Sequence, residues 1–243
     1  MGGRTALVTN VLDYGGPGAV SALEKASYVI ACHDRGFADP EARAAYSAAH
    51  PQVRVLSAQE PEAVVAETID QLTTIDAVIC NDVHPIRHTP IEDVCVDDLR
   101  ATIEAVLITP FRLAQAVIPH MKRRGSGSII AVTSARELRP EPGFSVPTTA
   151  RAGTTAFALA LARELAPWGV QVNAIAPNYL YSELYYPRAA FIDDPAGQQL
   201  IRDTVPLGRL GTPEEFGALV EFLASGTAPF VTGQTIAFTG GWP

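Results

Sequence analysis

The sequence predicts an α/β fold in which helices cover both faces of one doubly wound parallel sheet. Short apolar runs rich in β-branched residues recur along the 243-residue chain, and longer runs with helical spacing separate them. This alternation is typical of a parallel sheet, here of about seven strands. Because no linker, composition break or internal repeat divides the chain, we expect residues 1–243 to form a single domain.

The strands are expected to be short and buried on both faces. The first apolar run, RTALVT, stops at Asn10, and the following runs also end at polar residues. The predicted strands are Arg4–Thr9, Ser27–Cys32, Arg54–Leu56, Asp76–Cys80, Ser128–Thr133, Val170–Ala176 and Gly233–Phe238.

The helices are indicated by apolar spacing and by their first residues. Pro61 opens one helix at a position where the missing N–H costs nothing, and Thr212 is placed to cap the last one. Tyr179–Asp203 is rich in Tyr, Pro and Asp and is longer than a usual connection. The predicted helices are Ala19–Ala26, Pro40–His50, Pro61–Leu72, Val96–Arg123, Thr148–Ala166 and Pro213–Ala224.

Composition excludes several classes of function. The net charge of −8 disfavours nucleic acid and anionic membranes as partners. No apolar run approaches the roughly 20 residues of a membrane span, and the N-terminus resembles no signal leader. The three cysteines and the histidines have no metal-ligand spacing, so we expect reduced thiols, a cytoplasmic location and no metal.

The turn after the first strand is unsuited to a dinucleotide. Such a site needs a glycine directly after the strand, and this chain has Asn10. Tyr14 places a ring where phosphate or nicotinamide should lie, and Asp13 adds a negative charge. The helix that follows can still offer N–H groups to a smaller anion. Asp34 stands about where an NAD-binding fold keeps its ribose carboxylate, so an NAD(P) site stays an alternative.

Ser134 and Arg151 are the first candidates for chemistry. Ser134 ends a predicted strand, and Arg151 follows seventeen residues later in the next helix. In open α/β sheets, ligands bind in the crevice at the carboxyl ends of the strands. We therefore expect both side chains to face one crevice.

These residues resemble a known family. The sheet rhythm and the C-terminal run GRLGTPEEFGALVEFLASGTAPFVTGQTIAFTGGW resemble the short-chain dehydrogenase/reductases, and imply their Rossmann-like fold over the whole chain. Thr9, followed by four residues and Tyr14-Gly15, is similar to the signature of one offshoot, the halohydrin dehalogenases. Ser134 and Arg151 match two members of that offshoot's Ser-Tyr-Arg triad. Its tyrosine falls at position 147, where this chain has Pro147.

The resemblance implies a lyase that needs no cofactor. A vicinal haloalcohol closes to an epoxide with loss of halide, and small anions (halide, azide, cyanide, nitrite) open the epoxide in reverse. It also implies that Ser134 binds the substrate oxygen and that Asp82 orients Arg151, directly or through water. A homotetramer built as a dimer of dimers through the helix Thr148–Ala166 is implied as well. The halide pocket is expected from Thr9, Tyr14, Pro177, Asn178, Tyr179 and Leu180, closed by Tyr185 or Tyr186.

Pro147 has no acidic group and cannot take part in proton transfer. It suits the first turn of a helix, with Ser145 as a possible cap. Either the activity is weak or lost, or one of Tyr179, Tyr185, Tyr186, His84 and His88 substitutes, although none has the family spacing. Three functions stay open at this point: a dehalogenase, an NAD(P)-dependent oxidoreductase, and a non-catalytic anion-binding relative.

Overall fold

Seven strands form the centre of the molecule in the computed structural model, which describes residues 3–85 and 87–243. They are β1 (Thr5–Val8), β2 (Val29–Cys32), β3 (Arg54–Val55), β4 (Ala77–Cys80), β5 (Gly127–Val132), β6 (Val170–Pro177) and β7 (Thr235–Phe238). They pair in parallel in the order β3-β2-β1-β4-β5-β6-β7. The predicted fold class is confirmed.

Helices cover both faces of this sheet. They are α1 (Gly16–Lys25), α2 (Pro40–Ala49), α3 (Pro61–Leu72), α4 (Val96–Ile103), α5 (Thr109–Arg124), α6 (Ser145–Leu165), α7 (Arg188–Phe191), α8 (Pro195–Thr204) and α9 (Pro213–Ala224). Thr212 caps α9 as predicted: its side chain accepts from the Glu215 N–H, and the Glu215 carboxylate accepts from the Thr212 N–H.

Two apolar layers lie on opposite faces of the sheet. Val8 packs into the layer that contains Leu23 of α1 and Phe216 of α9. Its neighbour Leu7 packs into the other layer, which contains Met121 of α5. Successive residues of a strand point to opposite faces, so a strand covered on both sides must be apolar throughout. This explains the unbroken apolar runs in the sequence.

Some element boundaries differ from the prediction. Helix α6 begins at Ser145, so Ser145 lies inside the helix, and the N-cap Phe144 makes no side-chain cap. The reason is that the fixed φ of Pro147 suits the first turn, which places the start of the helix upstream of the proline. The connection 179–203 contains most of two unpredicted short helices, and Asp194 caps the second by accepting from the N–H groups of Ala196 and Gly197.

The expectation about long apolar runs also needs correction. Val96–Arg124 is one helical stretch, with a π-helical turn joining α4 to α5, and it is long and apolar enough to cross a membrane by length and composition alone. Leu113 and Met121, however, are buried against the sheet. The core helix of a globular protein passes the same length and composition test.

The carboxyl ends of the strands define the region where a ligand can bind. The chain leaves β1 toward β2 on one side, and β4 lies on the other side of β1. Ligands of open parallel sheets bind at such a switch point. The loops after β1, β4, β5 and β6 therefore meet at one edge, and they carry the polar residues singled out by the sequence.

Candidate functional site

Two neighbouring cavities lie at this edge. The inner cavity has a volume of about 30 Å³, and the outer cavity about 240 Å³. Pro147 lines both and therefore stands at their boundary. The inner cavity is lined by Tyr14, Thr133, Ser134, Arg136, Pro147, Thr148, Arg151, Pro177, Asn178, Tyr185 and Tyr186. It has room for an ion or molecule about the size of water.

Ser134 follows β5 directly and stays extended, with φ −155°. Its hydroxyl oxygen accepts a hydrogen bond from the Arg136 N–H at 3.2 Å, which starts a short 3₁₀ turn. This bond uses the oxygen as an acceptor and leaves the hydroxyl hydrogen to donate to a ligand. The side chain is thus fixed in direction before any ligand binds.

Arg151 is held by the backbone at the ends of two strands. One terminal nitrogen donates to the Val132 carbonyl at 2.6 Å, and the other donates to the Asp82 carbonyl at 2.8 Å. The side chain is buried, at 5% exposed. A guanidinium has five N–H groups, so donors remain for the inner cavity after these two bonds. Burial makes this positive charge a strong source of field there.

Asp82 contacts Arg151 directly through its backbone carbonyl, while its carboxylate has a different partner. The carboxylate Oδ1 accepts from the side-chain amide of Asn10 at 2.8 Å. The other oxygen has no partner among residues 3–85 and 87–243. Burial raises the pKa of Asp82 to about 6, against the opposing charges of Arg35 and Arg151.

Tyr14 occupies the inner cavity through an unusual backbone conformation. Its φ is +55°, in the left-handed region that favours glycine. The ring packs edge-on against Tyr185 with the centroids 4.9 Å apart. Burial raises the pKa of Tyr14 far above its ordinary value. Tyr14 is therefore neutral and presents a ring to the cavity.

Asn178 provides a donor without a protein partner. Its side-chain oxygen accepts from the Tyr179 N–H at 3.0 Å and from the Tyr186 hydroxyl at 2.6 Å. These two donors fix the orientation of the amide, so its Nδ2 must be the other atom. That Nδ2 is buried and has no partner among the residues that the structure describes. A buried N–H group without a partner favours a ligand that accepts hydrogen bonds.

Arg136 and Thr148 line the inner cavity but were missed by the sequence analysis. The Arg136 Nε donates to Glu141 at 2.6 Å, and its guanidinium lies 4.2 Å from the ring centre of Phe144. The Thr148 hydroxyl is buried without a partner in the described parts of the chain. Arg136 could have been found from its place two residues after Ser134, at the same strand end.

Four residues predicted for the site lie outside the lining of the inner cavity. Asp82 lies behind Arg151, as described above. The Thr9 hydroxyl accepts from the Asn81 N–H at 3.0 Å and so links β1 to the end of β4. Tyr179 turns toward Trp242, with the ring centroids 5.6 Å apart, and Leu180 is fully buried in the core. Both follow β6 beyond Asn178, where the left-handed φ of +56° at Tyr179 redirects the chain.

In the structure, Asp34 binds backbone N–H groups of the neighbouring loops. Its two carboxylate oxygens accept from the Leu12 N–H at 3.0 Å and the Gly36 N–H at 2.8 Å. The residue is buried and stabilises the loop that carries Tyr14. These two bonds give Asp34 a structural role in the loop that requires no ribose.

A resident metal has no evident ligand set in the described part of the chain. No group of three or more His, Cys, Asp or Glu side chains stands close enough to hold an ion there. The chemistry available at this edge is that of hydroxyls, phenols, amide N–H groups and guanidinium charge.

Comparison with known proteins gives a family and several relatives. Residues 16–243 match a family model described as enoyl-(acyl carrier protein) reductase. A human dehydrogenase/reductase SDR family member 4 is 30% identical over 76% of this chain and 66% of its own length. The 3-oxoacyl-[acyl-carrier-protein] reductase of Synechocystis is 32% identical over 78% of this chain and 74% of its own length. The chain thus spans slightly less than two thirds of the human protein.

Solved structures include much nearer likenesses over the whole chain. A halohydrin dehalogenase bound to ethyl (2S)-oxiran-2-ylacetate is 40% identical, with a TM-score of 0.96, and the match covers 99% of this chain and 97% of that one. A structure described as a dehalogenation enzyme is 34% identical, with a TM-score of 0.95 and coverage of 99% and 98%.

Proposed function

Because the chain belongs to the short-chain dehydrogenase/reductases and is similar over its whole length to a halohydrin dehalogenase, we propose that it interconverts vicinal haloalcohols and epoxides. The main observation in support of this proposal is the composition of the inner cavity. This cavity joins the Arg151 charge, the unpaired amide donor of Asn178 and the Tyr14 ring, directly beside Ser134. These groups suit a small anion about the size of water.

The proposed reaction is an intramolecular displacement. A base removes the proton from the substrate hydroxyl, and the oxygen forms a bond to the neighbouring carbon while the carbon–halogen bond breaks. The halide leaves with the electron pair and enters the inner cavity. Ser134 donates to the substrate oxygen, and the Arg151 charge stabilises the negative charge that develops there. Because no hydride is transferred, the reaction does not require a nicotinamide cofactor.

The two cavities divide the substrate between them. The inner cavity is too small for a haloalcohol, whereas the outer cavity has room for the carbon chain. Pro147 stands at their boundary, beside the reacting atoms in this arrangement. We propose that the substrates are small haloalcohols and epoxides, with halide, azide, cyanide or nitrite as the anions.

The replacement of Pro147 by tyrosine tests the proposed site. Pro147→Tyr places a phenol at the boundary of the cavities, on the same helix as Arg151. If the site lacks a base, halide release from a simple vicinal haloalcohol should rise by about a hundredfold, since a positioned general base contributes on the order of 10² to 10⁴ in rate; if another residue already supplies the base, wild type should itself release halide rapidly. The measurement is halide release at fixed substrate concentration. Pro147→Ala is the matched control, because it also removes the proline ring but adds no phenol.

Two results would contradict the proposal. If neither wild type nor Pro147→Tyr releases halide while bromide still raises the melting temperature, the protein binds anions without catalysis. If NADH fluorescence changes on titration with protein at micromolar cofactor, the oxidoreductase alternative gains support. We expect no change up to millimolar NADH, because the Tyr14 ring and the bonded Asp34 carboxylate occupy the corresponding region.

A further inference from the structure

Tyr185 brings a phenol into the inner cavity from a different segment than the family position does. It follows β6 in the connection to α7, whereas Pro147 belongs to α6. Its ring packs against Tyr14, and its hydroxyl donates to the His84 carbonyl at 2.9 Å. Tyr185 lines the same small cavity as Ser134 and Pro147. The phenol is therefore held in place by a bond and by a ring contact.

The Tyr185 hydroxyl and the Arg151 guanidinium bind the same short stretch of backbone. Arg151 donates to the Asp82 carbonyl and Tyr185 to the His84 carbonyl, two residues further on. Two residues of extended chain span at most about 7 Å. The two side chains thus bind neighbouring carbonyls in the loop after β4, and both line the inner cavity.

The charge of Arg151 acts directly on this phenol. Burial raises the pKa of Tyr185, and the positive charge of Arg151 opposes that rise. The negative charge of Asp13 raises the pKa, and donation of the hydroxyl to the His84 carbonyl stabilises the neutral phenol. The net pKa lies above the ordinary value, so Tyr185 is protonated at neutral pH.

The other aromatic candidates for a base are differently engaged. The Tyr186 hydroxyl donates to Asn178, and Tyr179 lies outside the inner cavity. His88 packs against Phe144 with ring centroids 5.4 Å apart. His84 lines the outer cavity, where burial lowers its pKa and Arg35 lowers it further. Tyr185 and Tyr186 both line the inner cavity with Ser134, but the Tyr186 hydroxyl is bound to Asn178, whereas the charge of Arg151 acts on Tyr185.

We infer that Tyr185 is the acid–base residue of this site and supplies the phenol that Pro147 cannot, an inference that rests on the proposed function. In ring closure the Tyr185 phenolate, having lost its proton to solvent, takes the proton of the substrate hydroxyl. The new epoxide C–O bond forms and the halide leaves with the electrons of the C–X bond. In ring opening the neutral phenol gives its proton to the epoxide oxygen as the anion attacks carbon.

Tyr185→Phe is the direct test, since it keeps the ring against Tyr14 and removes only the hydroxyl. We expect halide release to fall by about 10² to 10⁴, with bromide binding retained in a thermal-shift series. Tyr181→Phe is the matched control. Its hydroxyl donates to the Glu183 carboxylate outside both cavities, on the same segment of chain. Its rate should equal that of wild type.

A pH profile separates acid–base chemistry from a merely structural role. Because the phenolate is the reactive form in ring closure, the rate should rise about tenfold per pH unit between pH 6 and 9. Opening of an epoxide by azide uses the neutral phenol and should stay nearly constant over that range. Tyr185→Phe should lose the slope, and Pro147→Tyr/Tyr185→Phe should recover activity.

Each other result decides the question. If Tyr185→Phe keeps the wild-type rate, or if His84→Gln abolishes activity while Tyr185→Phe does not, Tyr185 is not the base and the proposed function still stands. If wild type is inactive and Pro147→Tyr is active, the site is sound and Tyr185 does not serve it. If Pro147→Tyr and wild type are both inactive, the proposed function itself fails.

Discussion

At the scale of single residues, the chemistry of the site is determined by which side chains line the cavity. The helix or strand that each side chain belongs to matters much less. Arg151 is fixed by two carbonyls just after β4 and at the end of β5, so its position does not depend on which side chain stands at position 147, one helical turn away. Tyr185 lines the same cavity as Arg151 from another part of the chain. The residue at one position of a motif can therefore differ while the rest of the site keeps its position.

Asp82 should make stability depend on pH in a direction opposite to that of most carboxylates. Its folded pKa of about 6 lies above the ordinary value of 3.8, so between these values the folded protein holds a proton that the unfolded chain has lost. Stability due to Asp82 is therefore full below pH 4 and is lost as the pH rises through 6. We expect Asp82→Asn to raise the free energy of unfolding at pH 7 by up to about 3 kcal/mol, and by almost nothing at pH 4.

His33 is a necessary part of that measurement. Burial lowers the pKa of His33 to about 4, so the stability it contributes is lost as the pH falls through that value. It opposes Asp82 over the same range and can hide its effect in the wild type. The difference between Asp82→Asn and wild type in urea unfolding, at pH 4 and at pH 7, isolates the carboxylate. An equal difference at both values would contradict the prediction.

The residues found from sequence alone are those whose roles follow from strand ends. Ser134 and Arg151 were predicted together because one follows the predicted strand and the other stands in the next helix, and both line the inner cavity. The unpaired amide of Asn178 and the pairing of Arg136 with Glu141 depend on side-chain orientation. The pattern of residue types contains no signal for either.

At the scale of elements, the loop that carries Tyr14 is positioned by the contact between α1 and α9. A Cβ on Gly217 would stand 2.2 Å from the Gly18 oxygen, and a Cβ on Gly15 would meet the Phe216 ring at 2.4 Å. These glycines permit the two helices to touch through their backbones. These glycines are needed for close packing, and this packing fixes the position of the residues that follow Tyr14.

Gly217→Ala should force these two helices apart. Overpacking of this kind costs typically about 1 to 3 kcal/mol, and the contact is with the Gly18 backbone, which cannot move away alone. We expect a lower melting temperature in differential scanning calorimetry and a weaker effect of bromide on it, since the Tyr14 loop moves with α1. Ala218→Ser, on the exposed side of the same helix, is the control. Equal melting temperatures for Gly217→Ala and the control would disprove this account.

Element boundaries were the weakest part of the sequence prediction, for two physical reasons. A proline inside a first turn gives no sign of how far upstream the helix begins, so α6 was placed three residues late. Helices α7 and α8 are short, and their apolar residues pack under a loop where no helical period is repeated often enough to detect. The strands were predicted better because burial on both faces leaves a continuous apolar run.

At the scale of the whole molecule, α5 and α6 present apolar side chains that the chain itself leaves partly uncovered. Phe111 is 43% exposed and packs against Phe157 of α6, with ring centroids 4.9 Å apart. Ile108 and Leu159 are also exposed on these elements. We propose that this face binds a second copy of the chain and contributes to a homotetramer, as the resemblance implies. An apolar helix face of this kind commonly marks an interface.

Phe111→Asp should dissociate the assembly. A carboxylate has to lose its water in a closed apolar interface, and that loss is costly without a partner. We expect the wild type to elute as an oligomer in size-exclusion chromatography with light scattering, and the variant at half that mass or less. Phe222→Asp, on α9, leaves this face unchanged and serves as a control for its dissociation. A monomeric wild type would refute the proposed interface.

The left-handed backbone at Tyr14 has a consequence for how such folds change their ligands. Asn10 and Tyr14 both hold φ values, +47° and +55°, that glycine adopts without strain. The loop thus keeps a shape suited to bare backbone while bearing side chains that fill the space above it. A change of ligand class then requires no new loop. An aromatic ring at the position of Tyr14 closes the cleft to a small cavity, and its removal would open the cleft again.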